Sequence, residues 1–216
     1  MTVTDTPVES PKSEARRRAI LDVAREVFLS RGFAATSMSE VATRLGGSKG
    51  TLYNYFRSKE DLFAALMIDT CEGPANAIFD HLPPMGGDLR GDLIQIGSSL
   101  LSFILSETTL AIHRVVVAEA GRFPQIGEIF YETGPKRGAE RLGGYFQDVM
   151  ATGAVRPGDP FHMARWFKDL LLADIYHQRL WGVAPVPSPA QIRAHAAEAT
   201  DIFLTVFGPL PAADAS

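Results

Sequence analysis

Apolar positions recur along most of this chain at the spacing of helices. Ile20, Val23, Ala24, Val27 and Phe28 fall at i, i+3, i+4, i+7 and i+8, the stripe of an amphipathic helix. Ser10-Pro11 suits its start, because proline at the first helical position forfeits no needed hydrogen bond, and Arg31-Gly32 suits its end. Ser37-Met38-Ser39-Glu40 has the pattern of a capping box, and it opens a short helix whose inner face is Val41, Ala42 and Leu45. Gly46-Gly47 stops that helix. Ser48 caps a third through Lys49-Gly50-Thr51, with Leu52 and Phe56 as its buried pair. Ser58-Lys59-Glu60-Asp61 begins a fourth, striped by Leu62, Phe63, Leu66 and Met67.

From Cys71 onward further helices are expected, punctuated by Pro83-Pro84, Gly86-Gly87, Gly121 to Pro124, Gly134-Pro135, Gly153 to Pro160 and Pro185 to Pro189. Regular apolar/polar alternation is nowhere sustained, so no strand is assigned. Segment 159–181 is apolar on several sides, through Phe161, Met163, Trp166, Phe167, Leu170, Leu171, Ile175, Leu180 and Trp181. Segment 188–207 adds a second apolar face with Ile192, Ala196, Ala199, Ile202, Phe203 and Val206. A helix clad on most of its circumference is buried on most of it. The two segments are therefore read as a pairing surface for a second copy of the chain, with Trp166, Leu170, Ile192, Ala199 and Phe203 at the contact. A core helix packed by its own chain alone is the alternative. The expected fold class is all-α: an arm at 1–10, a three-helix unit at 11–57, and a larger helical body at 58–216 that the fourth helix joins to the front.

Composition narrows the class. The chain has 216 residues, 46% hydrophobic and 21% charged, with a mean hydropathy of +0.03, as in ordinary globular proteins able to bury a core without disulfides or metals. A single cysteine, Cys71, excludes a disulfide framework and a Cys-rich zinc module. No uninterrupted apolar stretch of about 18 residues occurs, and the opening MTVTDTPVESPKSEARRR has no apolar run of the signal-peptide kind. A cytoplasmic protein with no membrane partner is expected. The net charge of −4 argues against a protein that coats nucleic acid without selectivity, although residues 1–70 carry +1 and residues 71–216 carry −5.

The two short helices over Met38–Leu45 and Ser48–Phe56, joined by a glycine turn, outline a helix-turn-helix. Burial of Val41, Leu45 and Leu52 leaves Lys49, Gly50, Thr51, Tyr53, Asn54 and Tyr55 at the front or outer side of the second helix. These types suit DNA: lysine for guanine or phosphate, an amide for adenine, hydroxyls for phosphate, and methyl or ring surface for thymine. Gly50 permits close approach of the backbone. The bland alternative is a helical hairpin that merely packs.

The stretch AILDVAREVFLSRGFAATSMSEVATRLGGSKGTLYNYFRSKEDLFAAL resembles the N-terminal domain of the TetR/AcrR family of transcriptional regulators. The likeness rests on Gly32-Phe33, on Thr36-Ser37, and on Lys49 to Phe56 followed by Ser58-Lys59-Glu60. Gly47 departs from the family pattern, which usually has an apolar residue there. Residues 108–146 resemble the C-terminal region of AefR-like members. The resemblance implies an all-helical homodimer with an N-terminal helix-turn-helix DNA-binding domain and a C-terminal ligand-binding and dimerisation domain. Such a protein is usually a repressor that leaves a palindromic double-stranded DNA operator when a small molecule binds. By resemblance Thr36, Ser48, Tyr55 and Lys59 match phosphate-contacting positions, and Lys49, Thr51, Tyr53 and Asn54 match base-facing ones. Arg44, on the outer face of the second helix, is a further phosphate candidate, as are Arg16, Arg17 and Arg18 if they do not form a solvated face.

The body yields fewer chemical signals. Phe103, His113, Val117, Phe167, Leu171 and Asp174 are candidate lining for a ligand pocket, and their character points to a largely apolar effector. Asp174 and His177 have a spacing that places two ligands on one helix, but no second pair or cysteine accompanies them, so no metal and no cofactor is expected. No phosphate-binding glycine loop, nucleophile elbow or paired-carboxylate motif supports an enzyme. The competing reading is a helical ligand-binding or protein-interaction module whose front domain no longer reads DNA.

Overall fold

In the computed structural model, residues 11–80, 82 and 87–209 are described, apart from the side chains of residues 71 and 72. The expected arm at 1–10, His81 and the Pro83-Pro84 break lie outside these, as does the Cys71 side chain. Eleven α-helices follow one another among the described residues, with no strand: α1 Pro11–Ala35, α2 Met38–Arg44, α3 Lys49–Tyr55, α4 Lys59–Phe79, α5 Leu89–Ile104, α6 Glu107–Glu119, α7 Pro124–Tyr131, α8 Arg137–Ala151, α9 Pro160–Leu172, α10 Ile175–Leu180 and α11 Pro189–Phe207.

The local signals act largely as the sequence predicts. Side chains of Ser37, Ser48 and Ser58 each accept the backbone N–H three residues on, satisfying donors that the helix leaves open. Gly46 takes φ 68 in the turn, and Gly32 takes φ 77, bending α1 near its end. The capping box at Ser37 forms only in its first half. The Glu40 carboxylate pairs instead with Arg31 at 2.9 Å and Arg44 at 3.3 Å.

Two hydrophobic cores result. The first joins α1 to α4 with the end of α6 and with α7, through buried Ile20, Phe28, Phe33, Leu52, Phe63 and Ile126 among others. Phe33 and Phe63 both lie against Phe28, at ring-centre distances of 5.8 and 5.3 Å. The second core joins α5, α8, α9 and α11, centred on Phe146, Phe167 and Phe203, whose rings lie 5.0 to 6.0 Å apart. The front unit therefore does not end sharply at residue 57: Ile112, Val116 and Ile126 of the body complete its core.

Two expectations change. Gly134-Pro135 does not break the chain into separate helices, because a π-turn over Glu132–Lys136 carries α7 directly into α8. Proline has no N–H to give, and the wider turn absorbs that loss. Segment 159–181 is two helices, since Ala173 leaves the helical region at φ −50, ψ 123 and Asp174 takes φ 58.

Candidate nucleic-acid interface and effector cavity

Helices α2 and α3 lean on the first core through Val41, Ala42 and Leu52, all essentially without exposure, and this burial turns the other face of α3 outward. Ser48, Lys49, Gly50, Tyr53 and Asn54 are exposed, while Thr51 and Tyr55 are partly buried. Ser48 Oγ lies 3.0 Å from Thr51 Oγ1 and also accepts the Thr51 N–H, so these two hydroxyls fix the start of the helix. At Gly47, where the resemblance leads one to expect an apolar residue, a Cβ would meet only the tip of the Arg16 side chain, at 2.8 Å, which can swing aside. Arg17 lies over the Phe56 ring at the end of α3, 5.6 Å from its centre, and Arg18 approaches Glu14 of α1 at 3.8 Å, so two of the three arginines have partners within the front unit.

Two expected phosphate positions differ from the exposed set. Thr36 is buried, and its hydroxyl donates to the Gly32 carbonyl at 2.7 Å, where the α1 bend folds the chain back over it. Its side chain is committed to closing the bend. Lys59 Nζ donates to the Phe33 carbonyl at 2.7 Å and sits 4.2 Å above the Phe33 ring, tying α4 to the end of α1. Arg44 remains part-exposed at the outer edge of α2, paired with Glu40.

Between the two cores lies a cavity of about 620 Å³. Its wall is built from Ala75, Asn76 and Phe79 of α4, Phe103 of α5, Thr109 and His113 of α6, Thr133 to Pro135 of the π-turn, and Tyr176 of α10. Ala164, Lys168 and Leu172, four residues apart on α9, complete one side. His113 Nδ1 lies 2.9 Å from Tyr176 Oη, and the Phe130 ring stands edge-on at 4.8 Å. Burial pushes the His113 pKa down to about 4, which keeps the imidazole neutral near pH 7. The wall is thus mainly apolar, with a neutral hydrogen-bonding pair at one end and the cations Arg137, Arg141 and Lys168 elsewhere.

Of the expected lining residues, Phe103 and His113 do line this cavity. Phe167 and Leu171 instead fill the second core, Val117 is 70% exposed on the far side of α6, and Asp174 is exposed at the break before α10. Periodicity places Phe167 and Leu171 on the inner face of α9 correctly but does not say which side of that face meets the core. The π-turn and Tyr176 were missed for a related reason: a Gly-Pro pair reads as a stop, and a break after Leu172 resets the helical phase.

The expected pairing residues divide likewise. Ala199 and Phe203 are buried in the chain's own core, with Ile192 at its edge, because that face of α11 packs on α5 and α9. Those three are corrected to internal packing. Trp166, at 60% exposure, stays on the surface, and Leu170 is half-buried. Among the described residues no group of His, Cys, Asp or Glu could hold a metal, and Asp174 instead accepts from Gln178 Nε2 at 2.6 Å. Also among them, no single helix is long and apolar enough to cross a membrane.

Comparison with known proteins agrees with this geometry. The profile of bacterial regulatory proteins of the tetR family matches residues 20–66, and that of the AefR-like transcriptional repressor C-terminal domain matches residues 91–209. A putative TetR-family transcriptional regulator from Mesorhizobium loti is 30% identical, covering 93% of this chain and 100% of that one, with a TM-score of 0.82. The flavonoid-responsive regulator FrrA is 28% identical over 92% of this chain and 100% of its own, with a TM-score of 0.81. The uncharacterized regulator YvkB of Bacillus subtilis is 24% identical over 174 residues, 81% of this chain and 88% of its own length. Other curated regulators match over 25% to 57% of their length. The chain belongs to the TetR family of bacterial transcriptional regulators, with a C-terminal domain of the AefR-like kind, and is a DNA-binding regulator.

Proposed function

We propose that the protein is a cytoplasmic homodimeric repressor that holds a pseudo-palindromic operator through α3 of each copy and leaves it when a small, largely apolar molecule fills the cavity. The observation that carries this reading is α4. Its first turn is fastened through Lys59 and Phe33 to the end of α1, just before the helix-turn-helix, and its last turns, at Ala75, Asn76 and Phe79, form cavity wall. A helix of 21 residues spans about 30 Å, so one element, with Pro74 inside it, runs from the cavity wall to the end of α1 beside the helix-turn-helix.

Lys49, Thr51, Tyr53 and Asn54 face the bases, with Gly50 allowing close approach. Ser48, Tyr55, Arg44 and the outer N–H of Lys59 serve the backbone. The dimer forms through the outer faces of α9 and α11, where Trp166 and the pair Ile202 and Val206, each about half exposed, are apolar and uncovered. A ligand releases DNA only through unequal affinity for the two spacings of the reading heads. The cavity size and its apolar wall suit an uncharged aromatic molecule, and the flavonoid response named for FrrA supports starting there.

The test is fluorescence anisotropy on DNA flanking the protein's own coding region, at fixed salt, with and without a panel of flavonoids and other uncharged aromatics. Preference over shuffled DNA, lost on adding a panel member, is the expected result. Equal affinity for shuffled DNA would overturn operator recognition. Panel members that bind the protein without altering operator affinity would overturn the release step.

A further inference from the structure

The wall of the cavity carries few neutral polar groups, and most of them are engaged within the chain. Thr133 Oγ1 donates to the Ile129 carbonyl at 2.7 Å, and Thr109 Oγ1 accepts from Ser106 Oγ at 3.0 Å. Asn76 Oδ1 accepts from Arg141. His113 differs. Its Nδ1 is bonded to Tyr176 Oη, but Nε2 of the same ring has no hydrogen-bond partner among the described residues. Unpaired atoms sealed from the surface do occur in this protein, at Arg25 Nε and Thr70 Oγ1 for instance. His113 Nε2 is not one of them, so on a ring that lines the cavity it stays accessible to a ligand.

The ring is also held in place. Phe130 stands edge-on against it, and Tyr176 lies on α10, whose last carbonyls are fastened to α6. Arg114, the residue after His113, donates from Nε to the Leu180 carbonyl at 2.8 Å and from Nη2 to the Arg179 carbonyl at 2.9 Å. The tyrosine and the imidazole are therefore positioned by one pair of joined helices.

Tyr176 decides which ring nitrogen bears the hydrogen. A neutral imidazole has one donor and one acceptor nitrogen. The phenol is the stronger acid of the pair and the imidazole nitrogen the stronger base, so Tyr176 donates to Nδ1 and Nε2 carries the N–H. The cavity thus presents a donor. A hydroxyl accepting from it would leave its own hydrogen unpaired against an apolar wall, whereas a carbonyl oxygen has none to leave. The cations of the wall do not call for an anion either, since Arg141 pairs with Asp80, Lys168 pairs with Asp169 at 2.8 Å, and Glu140 adds a carboxylate. We infer that His113 Nε2–H donates to a neutral carbonyl oxygen of the effector, with Tyr176 as the positioning residue. This rests on the reading of the cavity as an effector site and adds the ligand's chemical class, an otherwise apolar ketone, ester or lactone.

The test uses two probes of similar shape, acetonaphthone and isopropylnaphthalene, titrated calorimetrically into the full-length protein. The ratio of their affinities should shift against acetonaphthone about five- to tenfold in His113→Phe, the size of one lost hydrogen bond, and about two- to threefold in Tyr176→Phe, where the ring hydrogen is no longer fixed on Nε2. The infrared carbonyl band of acetonaphthone bound to the unsubstituted protein should lie below its position in hexane, and His113→Phe should abolish that shift. An unshifted band in the unsubstituted protein, or an unchanged affinity ratio in His113→Phe, would overturn the carbonyl contact and leave the cavity as an apolar effector site. Failure of both probes to bind the unsubstituted protein would overturn the effector-site reading and the contact with it.

Discussion

The backbone N–H of Ala34 donates to the Glu119 carboxylate at 3.0 Å, so the last residue of α6 holds the end of α1 just before the helix-turn-helix. Helix α6 also carries Thr109 and His113 into the cavity wall. Helix α6 therefore joins the cavity wall to the first core by a second connection beside α4. Glu119→Ala should cost about 1 kcal/mol in urea unfolding and reduce operator affinity, whereas Glu119→Gln, which still offers an oxygen, should retain most of both. Equal losses in the two variants would show that the Ala34 bond is not what Glu119 contributes.

Outward residues of α9 and α11 should behave oppositely to an inward residue of α11. Ile202→Glu or Trp166→Glu should give folded monomers by sedimentation, with helical circular dichroism kept. Phe203→Ala should instead lower stability by about 3–5 kcal/mol through the cavity it leaves in the second core. Unchanged dimers in both surface variants would remove α9 and α11 as the pairing surface.

The pH dependence follows from His113, whose folded pKa of about 4 lies below the 6.5 of an unfolded histidine. Above pH 6.5 both states are neutral and the group is silent. As pH falls from 6.5 to 4 the unfolded chain takes up a proton that the folded chain refuses, so stability drops, by up to about 3 kcal/mol, and the loss levels off below pH 4. His113→Leu should remove this component from urea midpoints measured between pH 7 and 4.5. An identical pH slope in the variant would contradict the assignment.

Lys59 is the proposed phosphate contact that also has a structural bond. Its ammonium gives hydrogen bonds to Phe33 and, longer, to Ala34, and one N–H remains for phosphate. Lys59→Ala should lower stability by about 1–3 kcal/mol and also make the salt dependence of DNA binding shallower by roughly one unit. A stability loss with an unchanged salt slope would assign Lys59 to structure alone.

The sequence carried most of the helical layout because helix starts are local events. Ser37, Ser48 and Ser58 need only the next three residues to act as caps. The outer face of α3 was legible for the same reason: Val41 and Leu52 fix the burial, and Tyr53 and Asn54 take what remains. Facts that depend on distant partners were not. Phe203 reads as part of a continuous apolar face with Ile202 and Val206, and only the packing of α11 on α5 and α9 separates the buried side from the exposed one. Lys59 shows no sign in the sequence that a carbonyl 26 residues earlier will hold its ammonium. The cavity between the two cores was harder still, since its wall needs a π-turn at Pro135 and a helix break at Asp174, neither of which follows from periodicity.

Competition binding at several salt concentrations separates base reading by the exposed face of α3 from contact with the DNA backbone alone. Asn54→Ala and Tyr53→Ala should each weaken the operator by about 1–3 kcal/mol while leaving affinity for shuffled DNA and the salt slope nearly unchanged. Leu52→Ala, buried beneath them, should lose stability before selectivity. Full operator preference in both Asn54→Ala and Tyr53→Ala would contradict the assigned face of α3, and with it the proposed mode of DNA recognition.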